Sequence, residues 1–201
     1  MSSRTERLDG GTLLTALGAS GELSTLSRAT AVVFVTLLTI VAAQVSIPLP
    51  FTPVPFTLQP MIVLLGAAAL GSRLGASSQL LYLALGIAGM PVFAASPALP
   101  QGVARLLGPT GGYLMSYPLA AFVAGYLAER GFDRRYLTSV GAMGAGLVII
   151  FSSGVVWLAF GLPHVGLPAA VAAGLVPFLP ADIVKVFLAA AVLPAAWKLV
   201  R

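Results

Sequence analysis

Charge is almost absent from the interior of this sequence, and the places where it does fall limit what the chain can fold into. Between Arg28 and Arg73 lie 44 consecutive residues without a charged side chain, and between Arg135 and Asp182 lie 46, with His164 taken as neutral. The gaps from Arg73 to Arg105 and from Arg105 to Glu129 hold 31 and 23. A soluble domain carries about 25% charged residues, which keep its surface solvated. This chain carries 8%, against 58% hydrophobic. A helix needs roughly 20 apolar residues to cross the hydrocarbon core of a bilayer. Each of the two longest gaps therefore holds two crossings, or one crossing and a loop. The sequence reads as an all-α integral membrane protein, and no polar linker divides its 201 residues into domains.

Proline divides the first long gap. Five of the 15 prolines lie in SIPLPFTPVPFTLQP, residues 46–60, and proline breaks helix interiors because it lacks an N–H and clashes with the preceding turn. The expected spans are 28–45, 57–70, 74–88, 112–127, 137–160 and 181–200, a six-transmembrane-helix bundle with ordered outer loops. The proline segment is expected to dip into the protein, where its backbone is shielded from lipid. Residues 165–176, between Pro163 and Pro177, are too short to cross and are expected to form a re-entrant turn. Residues 1–27 are read as an N-terminal cytoplasmic tail, with a short surface helix at 11–20, and 28–201 as the transmembrane domain. The first 28 residues lack the apolar core of a signal peptide.

The charge distribution also orients the chain. With the N-terminus inside, 9 of the 11 Lys and Arg fall on the inner side, together with 5 of the 6 acidic residues, as cytoplasmic loops demand. The net charge of +5 is thus explained by loops, not by the clustered cationic face that nucleic acid needs. The absence of cysteine excludes disulfides, thiolate zinc sites and cysteine nucleophiles. His164 is the lone histidine, so a histidine metal site is not expected. GPTGGY, residues 108–113, lacks the GK[ST] ending of a phosphate loop. No HExxH or GxSxG is present, no repeated filter suggests a channel, and no two related halves suggest a secondary transporter.

Three charges remain on the outer half: Arg105, Asp182 and Lys185. Asp182 and Lys185 stand three apart in FLPADIVKVFLAA, which places both on one helix face. Ionisable groups inside a membrane span face the bundle interior or a cavity and are functional by default. The alternative is an ion pair that only locks the last helix. GPTGGY supplies glycines that allow close approach of a ligand or of another helix. Phe51, Phe56, Thr57 and Gln59 add an aromatic, amide-bearing outer loop suited to an uncharged heterocycle or an apolar chain.

These motifs, in this order and spacing, resemble the BioY family, the biotin-specific substrate-binding (S) components of energy-coupling-factor (ECF) transporters. The resemblance is carried by IPLPFTPVPFTLQ (47–59), SQLLYLALGIAGMPVFA (78–94), LLGPTGGY (106–113), AER (128–130) and PFLPADIVK (177–185). It implies an outward-facing biotin site roofed by the loops after the first and third helices. In the family an acid and a lysine on the last helix hydrogen-bond the ligand, a pattern matched by Asp182 and Lys185. The ligand-binding set expected on this basis is Asp182, Lys185, Arg105, Tyr113, Thr110, Gln59, Phe56, Gln101 and Phe93. Asp182 would accept a ureido N–H, Lys185 would donate to the ureido carbonyl, and Arg105 is the cation available to the carboxylate. Gln101, in ASPALPQG (95–102), stands where other members carry a glycine-rich stretch, and is the substitute for a third ureido partner.

The resemblance further implies a multi-pass protein of the bacterial cell membrane with both termini cytoplasmic. It has no cofactor of its own, and ATP is used only by partner subunits. The expected partners are biotin, membrane lipid, and an ECF coupling subunit with its ATPase subunits. The opening ATAVVFVT (29–36) lacks the small-xxx-small spacing that docks family members on the coupling subunit, so action alone or as a homo-oligomer stays open. Nucleic acid is not a partner. The other function classes are an intramembrane enzyme acting on a hydrophobic heterocycle and a structural subunit without ligand.

Overall fold

The uncharged stretches fold as helices. In a computed structural model, which describes residues 11–17, 24–96 and 99–200, α1 is Leu13–Leu17, α2 Thr25–Gln44, α3 Gln59–Leu70, α4 Ser72–Ile87 and α5 Val103–Leu107. Then follow α6 Gly111–Glu129, α7 Tyr136–Val156, a π-helical turn Trp157–Gly161, α8 Gly166–Gly174 and α9 Leu179–Val200. The expectations resting on Arg4, Glu6, Arg7, Asp9, Glu22 and Arg201 lie outside the described residues. Among the described residues, three helical stretches are long and apolar enough to cross a membrane: Thr25–Gln44, Tyr136–Gly161 and Leu179–Leu199. At 12 residues, α3 spans only ~18 Å at 1.5 Å per residue, against the ~30 Å of a hydrocarbon core.

Local chemistry sets the helix ends. α2 begins three residues before Arg28 because Ser24 caps it, its hydroxyl accepting from the Ser27 amide at 3.1 Å. Pro60 sits in the first turn of α3, where a missing N–H costs nothing and the fixed φ favours the helix. Only Gly71 separates α3 from α4. Its φ is +93°, and a Cβ there would meet Glu129 Oε1 at 2.5 Å, so glycine is required on both counts. The carboxylate of Glu129, from the last turn of α6, accepts from the Ser72 amide at 2.7 Å and the Ser72 hydroxyl at 2.9 Å. An anion is thereby placed at the N-terminus of α4, where the helix dipole favours it.

α6 is the central helix and packs against α3, α4 and α7. Ala120, Ala121, Ala124 and Ala128 are fully buried along it. Small residues let membrane helices approach closely; at Gly125 a Cβ would lie 2.5 Å from the carbonyl carbon of Gly71. The proline-rich loop after α2 is tied at its base by a two-residue antiparallel ladder, β1 Ser46–Ile47 with β2 Phe56–Thr57. The loop buries Val54 and Thr57 and leaves Ile47 and Phe51 exposed.

Two expectations are corrected. Residues 165–176 are not a turn: Gly166–Gly174 forms helix α8, docked through Ala170 and Gly174, because an apolar run of this length satisfies its own backbone most simply as a helix. The segment placed in the tail as a surface helix is packed. Thr12 and Leu13 are buried, and α1 contacts α3 and α9. Asp133, one of the acids counted on the inner side, is buried, only 1% exposed.

Candidate functional site

The last helix carries the two charged residues into the bundle as their spacing requires. Asp182 and Lys185, on consecutive turns of α9, are 4% and 8% exposed. Lys185 Nζ donates to Asp182 Oδ1 at 2.7 Å and to the backbone carbonyl of Thr57 at 2.6 Å. It also sits 3.7 Å from the centroid of the Phe56 ring. Removing two charges from water is costly unless each finds partners, and here the carboxylate, a carbonyl and an aromatic face surround the ammonium. The lysine thus ties α9 to the proline loop. Phe56 also stacks on Phe178, just before α9, with centroids 6.5 Å apart.

Beside this pair opens a cavity. The proline loop contributes Val54, Phe56 and Thr57, and α3 contributes Gln59. α6 and its cap contribute Thr110, Tyr113, Leu114 and Tyr117, while α7 gives Ile150 and Phe151. Asp182, Arg105 and Phe178 complete the polar and aromatic wall. An apolar enclosure with a few placed polar groups is the usual form of a small-molecule site.

Arg105 is held by its own loop. It is 1% exposed, one Nη2 hydrogen bond goes to the Ala94 carbonyl, and Nη1 has no partner among the described residues. Burial pulls the guanidinium below its ordinary range, with Tyr82 acting in the opposite sense. Thr110 is likewise buried, and its Oγ1 has no partner. Two cavity-wall side chains therefore present unused hydrogen-bonding capacity on the same segment.

Of the nine expected residues, Asp182, Arg105, Thr110, Tyr113, Gln59 and Phe56 line the cavity. Lys185 stands immediately behind Asp182. Phe93 is not on the wall. It is fully buried edge-on to Tyr82, with centroids 5.5 Å apart, and fills the space left by Gly86. Gln101 is half-buried, its Oε1 has no partner among the described residues, and it does not line the cavity. Gln59 faces inward because its Nε2 donates to the Tyr82 hydroxyl at 2.6 Å. Tyr117, Ile150, Phe151 and Phe178 escaped the sequence reading. Tyr117 carried a usable signal: it lies four residues after Tyr113 and so on the same helical face.

A helical membrane bundle with a buried acid–lysine pair at the wall of a largely apolar cavity has the form of a solute-binding membrane protein. Residues 15–201 match the BioY family, and the chain belongs to that family. A probable biotin transporter BioY of Pyrococcus horikoshii is 45% identical over 74% of this chain and 82% of its own length. A biotin transporter BioY of Thermotoga maritima is 42% identical over 77% of this chain and 86% of its own. Among solved structures, the 2.1 Å crystal structure of the S-component for biotin from an ECF-type ABC transporter superposes with a TM-score of 0.78. It is 26% identical, over 88% of this chain and 95% of that one.

Proposed function

We propose that this chain is the biotin-binding component of a vitamin uptake system, capturing biotin in the cavity beside Asp182. The observation that carries the reading is the buried Asp182–Lys185 pair at the wall of a cavity whose remaining lining is mostly apolar. Biotin offers a ureido ring with two N–H donors and one carbonyl, an apolar bicycle and chain, and a carboxylate. Asp182 accepts an N–H. The aromatic and aliphatic side chains from α6, α7 and the proline loop enclose the bicycle and chain. Arg105 Nη1 and Thr110 Oγ1, both without partners, meet the carboxylate. Chemistry on the ligand is not part of this function; biotin is released unchanged.

In this reading the chain crosses the membrane six times with both termini cytoplasmic, α3 and α4 completing their crossings with the help of neighbouring loops. The cavity opens outward beneath the loops after α2 and α4, a placement supported by Val54, Phe56 and Ala94 on its wall. ECF coupling and ATPase subunits supply the energy, and ATP acts only on them. The purified chain therefore binds biotin without ATP. Ligand that binds only the folded state raises the melting temperature by mass action, by about 2.7 kcal/mol of added stability at 100 times Kd. A thermal shift with biotin in detergent, unchanged by adding ATP, is the expected result. No shift at saturating biotin would remove the vitamin assignment.

A further inference from the structure

Tyr113 and Tyr117 line the cavity, Tyr82 stacks on Tyr117, and two of the three hydroxyls are already engaged. The Tyr82 hydroxyl accepts from Gln59 Nε2 at 2.6 Å and donates to the Val92 carbonyl at 3.4 Å. The Tyr113 hydroxyl donates to the Gly174 carbonyl at 2.7 Å, fastening α8 to α6. Tyr117 is different. It lines the cavity and is 4% exposed. Its ring stacks on Tyr82 with centroids 6.4 Å apart, yet its hydroxyl makes no hydrogen bond to any described residue. Buried tyrosine hydroxyls ordinarily find a partner, and the neighbouring space that can supply one here is the ligand cavity.

The lysine makes the same point from the other side. The Lys185 ammonium has three N–H donors, and it already faces Asp182 Oδ1, the Thr57 carbonyl and the Phe56 ring. A donation from Lys185 to a ligand requires it to give one of these up, whereas Tyr117 gives up nothing. Gln101, the expected third polar partner, is off the cavity wall.

We propose that Tyr117 is a specificity-determining residue of this site: its hydroxyl hydrogen-bonds the cyclic urea beside Asp182 and fixes the head group at the α6–α9 wall. The inference rests on the biotin reading above and adds the residue that completes the polar head site. A cyclic urea presents two donors and an acceptor in one plane. The carboxylate of Asp182 is acceptor-only, while a neutral hydroxyl can donate to the carbonyl. With the head group held there, the chain and carboxylate point toward Arg105 and Thr110.

Tyr117→Phe keeps the ring and its stacking and deletes one oxygen. Equilibrium binding of radiolabelled biotin, with unlabelled biotin and biotin amide as competitors, reads the effect on the full chain. About tenfold weaker binding is expected, because the urea is left without a partner in a dry site. The same factor is expected for the amide, which differs only at the far end, and the ligand-free melting temperature should stay unchanged. Parental affinity in the variant would overturn the inference and leave the biotin reading standing. A loss seen with biotin but not with the amide would place the hydroxyl at the carboxyl end and overturn it too. So would a lowered ligand-free melting temperature, which would make the hydroxyl structural. Failure of the parent chain to bind biotin at all would end both the inference and the reading it rests on.

Discussion

Asp133 shows how far a single residue can depart from its place in the sequence. In the sequence it stands among Arg130, Arg134 and Arg135, on the inner side. In the fold it accepts from Trp197 Nε1 at 2.6 Å through Oδ2, and Oδ1 has no partner. The Arg134 guanidinium lies 4.8 Å over the Trp197 ring. Burial pushes the Asp133 carboxyl above its ordinary 3.8, with the Trp197 bond opposing the shift. A carboxyl raised in the folded state stabilises the fold below its unfolded pKa, and that stability is lost as pH rises through the folded value. Asp133→Asn keeps an acceptor for Trp197 and removes the ionisation. At pH 7 the variant should melt no lower than the parent, and up to about 4 °C higher for ~1 kcal/mol relieved. The parent's fall in melting temperature as pH rises above about 3.8, the side of the ordinary value on which the shift lies, should flatten. Melting curves across pH in detergent test this. A clear drop at pH 7 with an unchanged pH slope would show that the ionised carboxylate is needed.

The same contrast explains which site residues were legible. Asp182 and Lys185 stood out because ionisable groups are rare in an apolar run and their three-residue spacing fixes a shared face. Tyr117 and Phe178 did not stand out, since an aromatic in a membrane helix is ordinarily packing. Only the cavity wall separates them from Phe93, which is packing. Arg105 was legible as a lone outer charge, but its burial against the Ala94 carbonyl is a tertiary outcome of the loop.

Among the elements, the long helices followed from charge gaps and proline placement to within about three residues, and α8 did not. Its nine residues carry no polar stripe to signal a helix, and flanking prolines suit a turn equally well. The α3–α4 junction shows the same limit. Gly71 marks a break, but the need for glycine comes from Glu129 and α6, far along the chain. The loops also carry the topology. Position 133 is buried and unsuitable for labelling, whereas Arg135 and Val103 are exposed. In a chain without native cysteine, an impermeant thiol reagent on intact cells should label Val103→Cys and spare Arg135→Cys until lysis. The reverse pattern would invert the proposed orientation.

At the scale of the whole molecule, α6 provides the axis, α7 and α9 the long walls, and the proline loop a side that Lys185 fastens to α9. Binding energy in such a site comes from enclosing an apolar ligand, while the few polar groups decide which ligand is enclosed. Truncating one member of a buried charged pair strands the other, so Lys185→Met disturbs Asp182 as well as the loop. Without the ammonium, the Asp182 carboxylate is no longer held for the ligand, and weakening its charged hydrogen bond by roughly 1.5–3 kcal/mol corresponds to about tenfold to a hundredfold in affinity. The most direct test of biotin capture beside Asp182 is saturation binding of radiolabelled biotin to the purified chain, without ATP, for the parent and Lys185→Met side by side. Saturable binding by the parent, weakened at least about tenfold in a variant that still folds and inserts, is the predicted result. No saturable binding by the folded parent, or equal affinity in the two proteins, would contradict it.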